Sequence, residues 1–583
     1  MSDRAAALLN QLEAIVRREA WEQRERLERQ WSLPLEERVR TGKAIEGLRY
    51  AGINEETGNF AMTCPTNHSR FREGDHVFLH RGRLLLESPV EAILELDDEQ
   101  YLEFSSQGVN LQQVIDGAGP WIADEGYLDL SSYYLQALAE IADREVGRTR
   151  ILPLVLGDLG PGVDYGRYER GWAAASDAGL NESQAEAVGQ AYATGLVHLI
   201  QGPPGTGKTV VLAHLARLLV EEGERVLVTA LTHRAINNAL NKIAQVASDL
   251  PACKIGPPAC ADDLLVSHYL SFDQSRFGEL SGGYVIGATP FATCTDRLGE
   301  VEFDTVLFDE SSQITLPLAM MGMLVGKRYV FVGDDQQLPP VAAVRDAPLL
   351  ARTSIFGYLV GRGYETMLTQ TYRLNDVLAA WPSRRFYANL LQPAPTVGER
   401  RLSLGAVPGQ WQEILDPAHP AVWVDLQQRN TTVRSRREAD VVAGLVRGLL
   451  AGGVPAHEIG VISPYRAQGR QVRSQLRRSL PDPAVRRAII ADTVERMQGQ
   501  EREVILVSLA TSSPHFAAQL ADFFFQPQRI NVTVTRPRTK LIIVGSRSVL
   551  QVEAEDPELC EWVHLFRDMA QSCTLRLVGR GTS

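Results

Sequence analysis

The run Gly202-Pro203-Pro204-Gly205-Thr206-Gly207-Lys208-Thr209 constrains this chain more than any other stretch of it. An apolar strand pattern, His198–Gln201, leads into it, and a helical pattern, Val210 to Val220, leads out. Glycines in that setting let successive backbone N–H groups converge on phosphate oxygens, and the helix N-terminus adds positive partial charge. Lys208 then neutralises β- and γ-phosphates, and the Thr209 hydroxyl is placed to ligate Mg²⁺. A Gly-rich turn with a merely structural role has no use for Lys-Thr at this spacing. The whole run is therefore a candidate ATP site, in a buried parallel sheet flanked by helices.

The partner carboxylates are Asp309 and Glu310, at the end of the apolar run Thr305–Phe308, about a hundred residues further on. Asp309 is the candidate magnesium ligand, and Glu310 the group that orients and deprotonates an attacking water. A lone Asp-Glu pair at a strand end is usually just solvated. Its place on a buried strand downstream of a phosphate loop favours catalysis.

Other strand patterns of the same kind are Arg225–Thr229, Tyr284–Ala288 and Arg328–Val332. A second series follows at Ala421–Asp425, Ile459–Ser463, Val504–Ser508 and Lys540–Val544. Ahead of both, the first forty residues read as one helix, with Leu8, Leu12, Val16, Ala20, Leu27 and Trp31 on its apolar face. Short runs at Asn59–Met62, His76–His80, Arg83–Glu87 and Tyr101–Phe104 read as strands of a small β-domain, and Leu128 to Val146 returns to helical spacing. The expected divisions are 1–42, a stalk helix; 43–118, a small β-barrel; 119–156, a returning stalk helix; and two α/β domains, 157–347 and 348–583. A length of 583 residues is too great for a single core.

The formal net charge of −12 disfavours a histone-like coating protein, yet a lined channel needs only a local positive field. The six cysteines form no CxxC pair, so no zinc is expected. No apolar run is long enough to span a bilayer and Met1 to Leu12 lacks a secretory pattern, so the expectation is a cytoplasmic protein without membrane contact.

Several further runs occur in order: Asp309-Glu310-Ser311-Ser312-Gln313, Val332-Gly333-Asp334-Asp335-Gln336-Gln337-Leu338-Pro339-Pro340, and Thr371-Tyr372-Arg373. Then come Ile459 to Gln468, Met497-Gln498-Gly499-Gln500-Glu501, and Asn531-Val532-Thr533-Val534-Thr535-Arg536. Together they resemble the motifs of superfamily 1 helicases, in particular the 1B branch of the Upf and senataxin type, from Gln184 to Gly545. The resemblance implies tandem RecA-like P-loop domains with an N-terminal helical stalk and small β-barrel. It also implies an ATP- and Mg²⁺-dependent motor on single-stranded DNA or RNA, moving 5′→3′.

By the same resemblance, Gln184 would bond the adenine edge, Tyr465 would stack on the base, and Gly499 would line the nucleotide site. Gln337 would sense the γ-phosphate, Arg373 and Arg536 would reach the transferring phosphoryl group, and Glu501 would couple nucleotide state to closure. Thr232, His233, Thr289, Pro290, Pro340 and Thr493 are the candidate nucleic-acid contacts. His233 stands where the family has Asn, and it is as consistent with an ordinary core or surface histidine. Asn237 replaces an Asp, Pro537 replaces an Ala, and the stretch from Leu240 to Tyr284 is too short for the helical insertion that relatives carry. Two alternatives follow: a nucleic-acid-dependent ATPase that remodels nucleoprotein without robust unwinding, and an ATP-gated clamp that recruits a protein partner through the N-terminal domain. A monomer is the simplest expectation.

Overall fold

The helix expected over the first forty residues is two helices. The first runs Asp3–Trp31 and the second Leu35–Arg40, with Pro34 at the N-cap between them. Proline has no N–H to donate and clashes with the preceding turn, so the helix ends before it instead of passing through. The computed structural model describes all residues except 1, 56, 83, 85–88, 99, 107–119, 258–259, 262, 342–347 and 579–583. By backbone contacts the chain divides into two units, one centred on residues 7–136, the other on 137–341 with 349–583.

In the smaller unit six strands close into a barrel: β1 (Ala44–Ile53), β2 (Phe60–Thr63), β3 (His76–His80), β4 (Val90–Asp98), β5 (Tyr101–Ser105) and β6 (Trp121–Glu125), in the order β1-β2-β5-β4-β3-β6. Leu48, Phe60, Met62, Val77, Leu79, Leu94 and Phe104 fill it, and the rings of Phe60 and Phe104 stack at 5.6 Å. Asp124 is fully buried on β6 and is held by the Arg38 guanidinium and by His80 Nε2 at 2.8 Å. Closure leaves no unpaired edge, which is how so short a set of strands becomes stable. Sequence patterning found β2, β3 and β5 but not β1, β4 or β6. The strand expected at Arg83–Glu87 lies outside the described residues.

The larger unit carries two parallel sheets. The first has β7 (Val197–Gln201), β8 (Arg225–Thr229), β9 (Ala252–Ile255), β10 (Ser267–Tyr269), β11 (Tyr284–Gly287), β12 (Phe303–Phe308), β13 (Gly326–Gly333) and β14 (Glu365–Met367), ordered β10-β9-β11-β8-β12-β13-β7-β14. Its last strand comes from beyond residue 347 and pairs with β7 at Glu365↔Leu199. After the short pair β15 (Gln370–Thr371) and β16 (Gln392–Pro393), the second sheet holds β17 (Ala421–Asp425), β18 (Ile459–Ile462), β19 (Ile490–Asp492), β20 (Arg502–Ser508), β21 (Pro537–Gly545) and β22 (Thr574–Leu577). Its order is β19-β18-β20-β21-β17-β22. These are the tandem RecA-like lobes.

Strands covered on both faces read as continuous apolar runs, which is why most of them were visible in the sequence. β17 illustrates the packing. Val422 and Val424 enter one core with Leu445 and Leu506, while Ala421 and Trp423 enter another with Ile505 and Phe566. Strands β9, β10, β14, β19 and β22 do not stand out in the sequence because they are three or four residues long and each includes polar or charged residues, which breaks the apolar run. Among the described residues between the helix His233–Val246 and β11, the structure has β9, β10 and two single 3₁₀ turns, Phe272–Gln274 and Phe277–Glu279, and no longer helix. No helix among the described residues is long and apolar enough to cross a membrane.

Candidate active site

The phosphate loop joins β7 to the helix Lys208–Glu221. Gly205 and Gly207 have φ of +75° and +83°, the left-handed region that favours glycine. A Cβ on Gly205 would lie 2.3 Å from Arg373 Cβ, and one on Gly207 would lie 2.6 Å from Gln184 Nε2. Both glycines are thus required by conformation and by close approach. Lys208 curls back over the loop and donates to the Gly202 carbonyl at 2.5 Å.

The carboxylates stand at the ends of the adjacent strands β12 and β13. Asp309, just after β12, is buried and accepts from the Glu310 backbone N–H at 2.9 Å. Burial, then the neighbouring Glu310 charge, push its pKa up, and Lys208 opposes them. Glu310 has φ +49°, a strained value for a side chain with a Cβ. Asp334, just after β13, is also raised, to about 6, by burial, and again the Lys208 charge pulls the other way. One lysine therefore faces two buried acids.

The second lobe closes this groove. Thr371 Oγ1 donates to the Pro204 carbonyl at 2.8 Å, and the Tyr372 N–H donates to the Gly205 carbonyl at 2.8 Å. Arg373 donates from Nε to Glu501 Oε2 at 2.6 Å and from Nη1 to the Thr535 carbonyl at 3.1 Å. Arg536 is fully buried, with Nη2 at 3.4 Å from Gln337 Oε1. Burial, followed by the Arg373 charge, lowers its pKa to about 9, so it stays charged at neutral pH. The Glu310 and Glu501 charges both act on it. Glu310, Gln337, Arg373, Arg536 and Glu501 are thus brought around the phosphate loop, while Gly499 turns at φ +74° just before Glu501.

Two sequence expectations for the base end look different in three dimensions. Gln184 is buried and its amide is committed locally: Oε1 accepts from the Asn181 N–H at 3.1 Å, and Nε2 donates to the Thr206 carbonyl at 2.9 Å. It closes a capping box at the start of the helix Glu182–Ala193 and ties that helix to the phosphate loop. Tyr465 lies in the core of the second lobe, 5.9 Å from the Phe523 ring and nearly parallel to it, and its hydroxyl accepts from Thr511 Oγ1 at 3.0 Å. Tyr465→Ala is expected to lower stability by about 3–5 kcal/mol, read by denaturant unfolding, with the KM for ATP little changed. A large rise in KM at parental stability would return Tyr465 to the nucleotide site.

The tyrosine that does reach the loop is Tyr372. It is 42% exposed, and its hydroxyl accepts from Asn181 Nδ2 at 2.9 Å and donates to Gln370 Oε1 at 2.9 Å. The sequence placed it between Thr371 and Arg373 in a recognised run, and its neighbour relation to Asn181 was the missing signal.

Comparison with known proteins agrees with this order of parts. Two sequence families, both described as AAA domains, match residues 179–276 with 279–344, and residues 351–548. The DNA replication ATP-dependent helicase/nuclease DNA2 of Saccharomyces cerevisiae is 29% identical over 67% of this chain and 27% of its own length. The regulator of nonsense transcripts 1 of Caenorhabditis elegans is 30% identical over 64% of this chain and 38% of its own. The chain is similar to the superfamily 1 Upf1-like helicases, and the two matched families between them take in both of its parallel sheets except β22. A further relative, the DNA polymerase alpha-associated DNA helicase A of Schizosaccharomyces pombe, is 25% identical over 67% of each chain. The chain spans well under half the length of the first two relatives.

In this Upf1-like chain the candidate strand contacts are less uniform than the nucleotide site. Thr232 is exposed and caps the helix His233–Val246, accepting from the Ala235 N–H at 3.2 Å. His233 is half-buried, with Nδ1 unpartnered, and burial, followed by the Lys254 charge, lowers its pKa to about 4. It is therefore neutral at physiological pH and offers no charge to a phosphate. Thr289 is half-buried, whereas Pro290, Pro340 and Thr493 are buried.

Proposed function

We propose that this chain is an ATP-driven helicase or translocase on single-stranded nucleic acid. One observation carries the reading: the groove beside the phosphate loop is built by both lobes, with Arg536 of the second buried on Gln337 of the first at 3.4 Å. A site shared in this way makes ATP binding and hydrolysis close and open the lobes. Alternating grip then becomes stepping along a strand. The relatives, helicases among them, support the same reading.

Lys208 holds the phosphates, and Thr209 with Asp309 offers the hydroxyl and carboxylate oxygens that suit magnesium. Such an ion, when bound, neutralises charge on the phosphates. Glu310 orients and deprotonates the attacking water, and Arg373 and Arg536 stabilise charge spread over the transferring group. Glu501 holds Arg373 until phosphate competes for it, which couples nucleotide state to lobe position. Tyr372 supplies the apolar face for the base, and Gln184 supports the loop from below. Tyr372→Ala should raise the KM for ATP about 2- to 10-fold with little change in kcat. An unchanged KM would remove Tyr372 from the base site.

The strand contacts at Thr232, His233, Thr289, Pro290, Pro340 and Thr493, the domain divisions, the 5′→3′ direction, the single-chain state and the cytoplasmic setting belong to the same reading and rest on the family resemblance. The short stretch between His233–Val246 and β11 favours weak unwinding, so displacement of bound protein is the second reading. The deciding experiment is ATP turnover without polymer, with single-stranded DNA and with single-stranded RNA. Stimulation by one polymer supports the motor and names its track. No stimulation by either, from a folded ATP-binding protein, overturns it in favour of a partner-gated clamp.

A further inference from the structure

The helix Asp376–Phe386 of the second lobe ends at Tyr387, and the next two residues, Ala388 and Asn389, both adopt positive φ, +49° and +62°. Two consecutive left-handed residues that are not glycine mark a turn held by its surroundings. What it holds is a phenol. The Tyr387 side chain is buried, and its hydroxyl donates to Asp334 Oδ2 in the first lobe at 2.8 Å. The same hydroxyl accepts from Asn531 Nδ2 at 2.8 Å, and that amide also donates to the Gln336 carbonyl at 2.8 Å.

The polarity of this set is forced. A carboxylate only accepts and a guanidinium only donates. Asp334 Oδ2 takes a second hydrogen bond from Gln337 Nε2 at 2.8 Å, so the Gln337 carbonyl oxygen is the end that faces Arg536. Asp334, Gln337, Tyr387, Asn531 and Arg536 are all at most 4% exposed, so water is not at hand to replace a lost partner. Turning the Gln337 amide over would set its NH₂ against the guanidinium and leave the carboxylate facing an oxygen.

We infer that Tyr387 is a positioning residue for ATP hydrolysis: its hydroxyl, supplied by the second lobe, fixes Asp334 and through it the amide of Gln337 toward Arg536. The inference rests on the motor reading above. It makes the orientation of Gln337 depend on lobe closure, because the donor that secures Asp334 arrives only when the second lobe is in place. The Tyr387 hydroxyl bonds Asp334 and Asn531 and no phosphate loop residue, so it acts through Asp334.

The test is a double-mutant cycle of Tyr387→Phe with Gln337→Ala, read as kcat and KM for ATP with and without single-stranded polymer. Tyr387→Phe keeps the ring and removes one hydrogen bond to a buried charge. Its kcat should fall on the order of tenfold, with the KM within about twofold and the melting temperature close to the parent's. On the Gln337→Ala background the same change should cost little more, since the amide it orients is gone. Parental kcat in Tyr387→Phe overturns the inference, and so does a loss that persists in full beside Gln337→Ala. Asn531→Ser, which removes the amide that orients the hydroxyl, gives a second route to the same cycle should Tyr387→Phe misfold. Basal turnover is read throughout, so a parent insensitive to polymer counts against the motor reading while the cycle still decides Tyr387.

Discussion

Lys208→Ala is expected to stop ATP turnover, with kcat reduced by at least about 10²–10³-fold, while the protein remains folded. The lysine is half-buried, and its ammonium makes one hydrogen bond, to the Gly202 carbonyl at 2.5 Å. Little folding free energy therefore depends on it. Its charge nevertheless acts on both buried acids, Asp309 and Asp334, which burial otherwise drives toward the protonated state. Removing it takes away the cation proposed to meet the phosphates and unbalances the carboxylates that remain. The measurement is steady-state hydrolysis with saturating polymer, alongside a thermal melt. Parental turnover in this variant would show that the loop between β7 and its helix is not where ATP is cleaved.

Glu310→Gln should separate binding from chemistry. The exchange is isosteric and leaves the strained φ of +49° as it is. The lost carboxylate is the neighbouring charge that raises Asp309, and it also favours the buried Arg536 cation, so the two effects oppose and the melting temperature should stay near the parent's. Turnover should drop by about 10²–10⁴-fold, the usual worth of a positioned general base. ATP should still bind, so labelled nucleotide would be retained uncleaved and the strand-bound state would persist. Hydrolysis at the parental rate would place the base elsewhere. Loss of ATP binding together with turnover would mean that Glu310 serves the fold of the loop, not the water.

The parts of this protein readable in its sequence are those encoded by neighbours along the chain. Gly202 to Thr209 is a contiguous loop, so its glycines, Lys208 and Thr209 are all neighbours along the chain. Strands such as Arg225–Thr229 and Ala421–Asp425 are buried on both faces, so they appear as uninterrupted apolar runs whose ends match the observed ones. Asp309 and Glu310 follow directly from the end of such a strand. The barrel was half visible, because β4 mixes acids with its apolar residues and β1 carries Gly47 and Gly52, which blur the alternation.

The surroundings of the two tyrosines are visible only in the packing. Tyr465 and Tyr372 both lie in recognised runs, and the sequence points to Tyr465 for the base. Three phenylalanines of the segment Phe516–Phe524 surround Tyr465, whereas Asn181, nearly two hundred residues away, anchors Tyr372 at the loop. The same holds for Gln184, whose amide is engaged by the capping box and Thr206, and for Tyr387, which no motif singles out until Asp334 lies 2.8 Å from its hydroxyl. The sequence by itself determined most strands of the two parallel sheets, the phosphate loop and the place of its acids, since local pattern and backbone chemistry suffice for them, and the family resemblance supplied the RecA-like arrangement. Tertiary structure alone decided which side chains meet across the two lobes. Those contacts join residues far apart in the chain, and their hydrogen-bond polarity exists only once burial has removed the water that would otherwise satisfy each group.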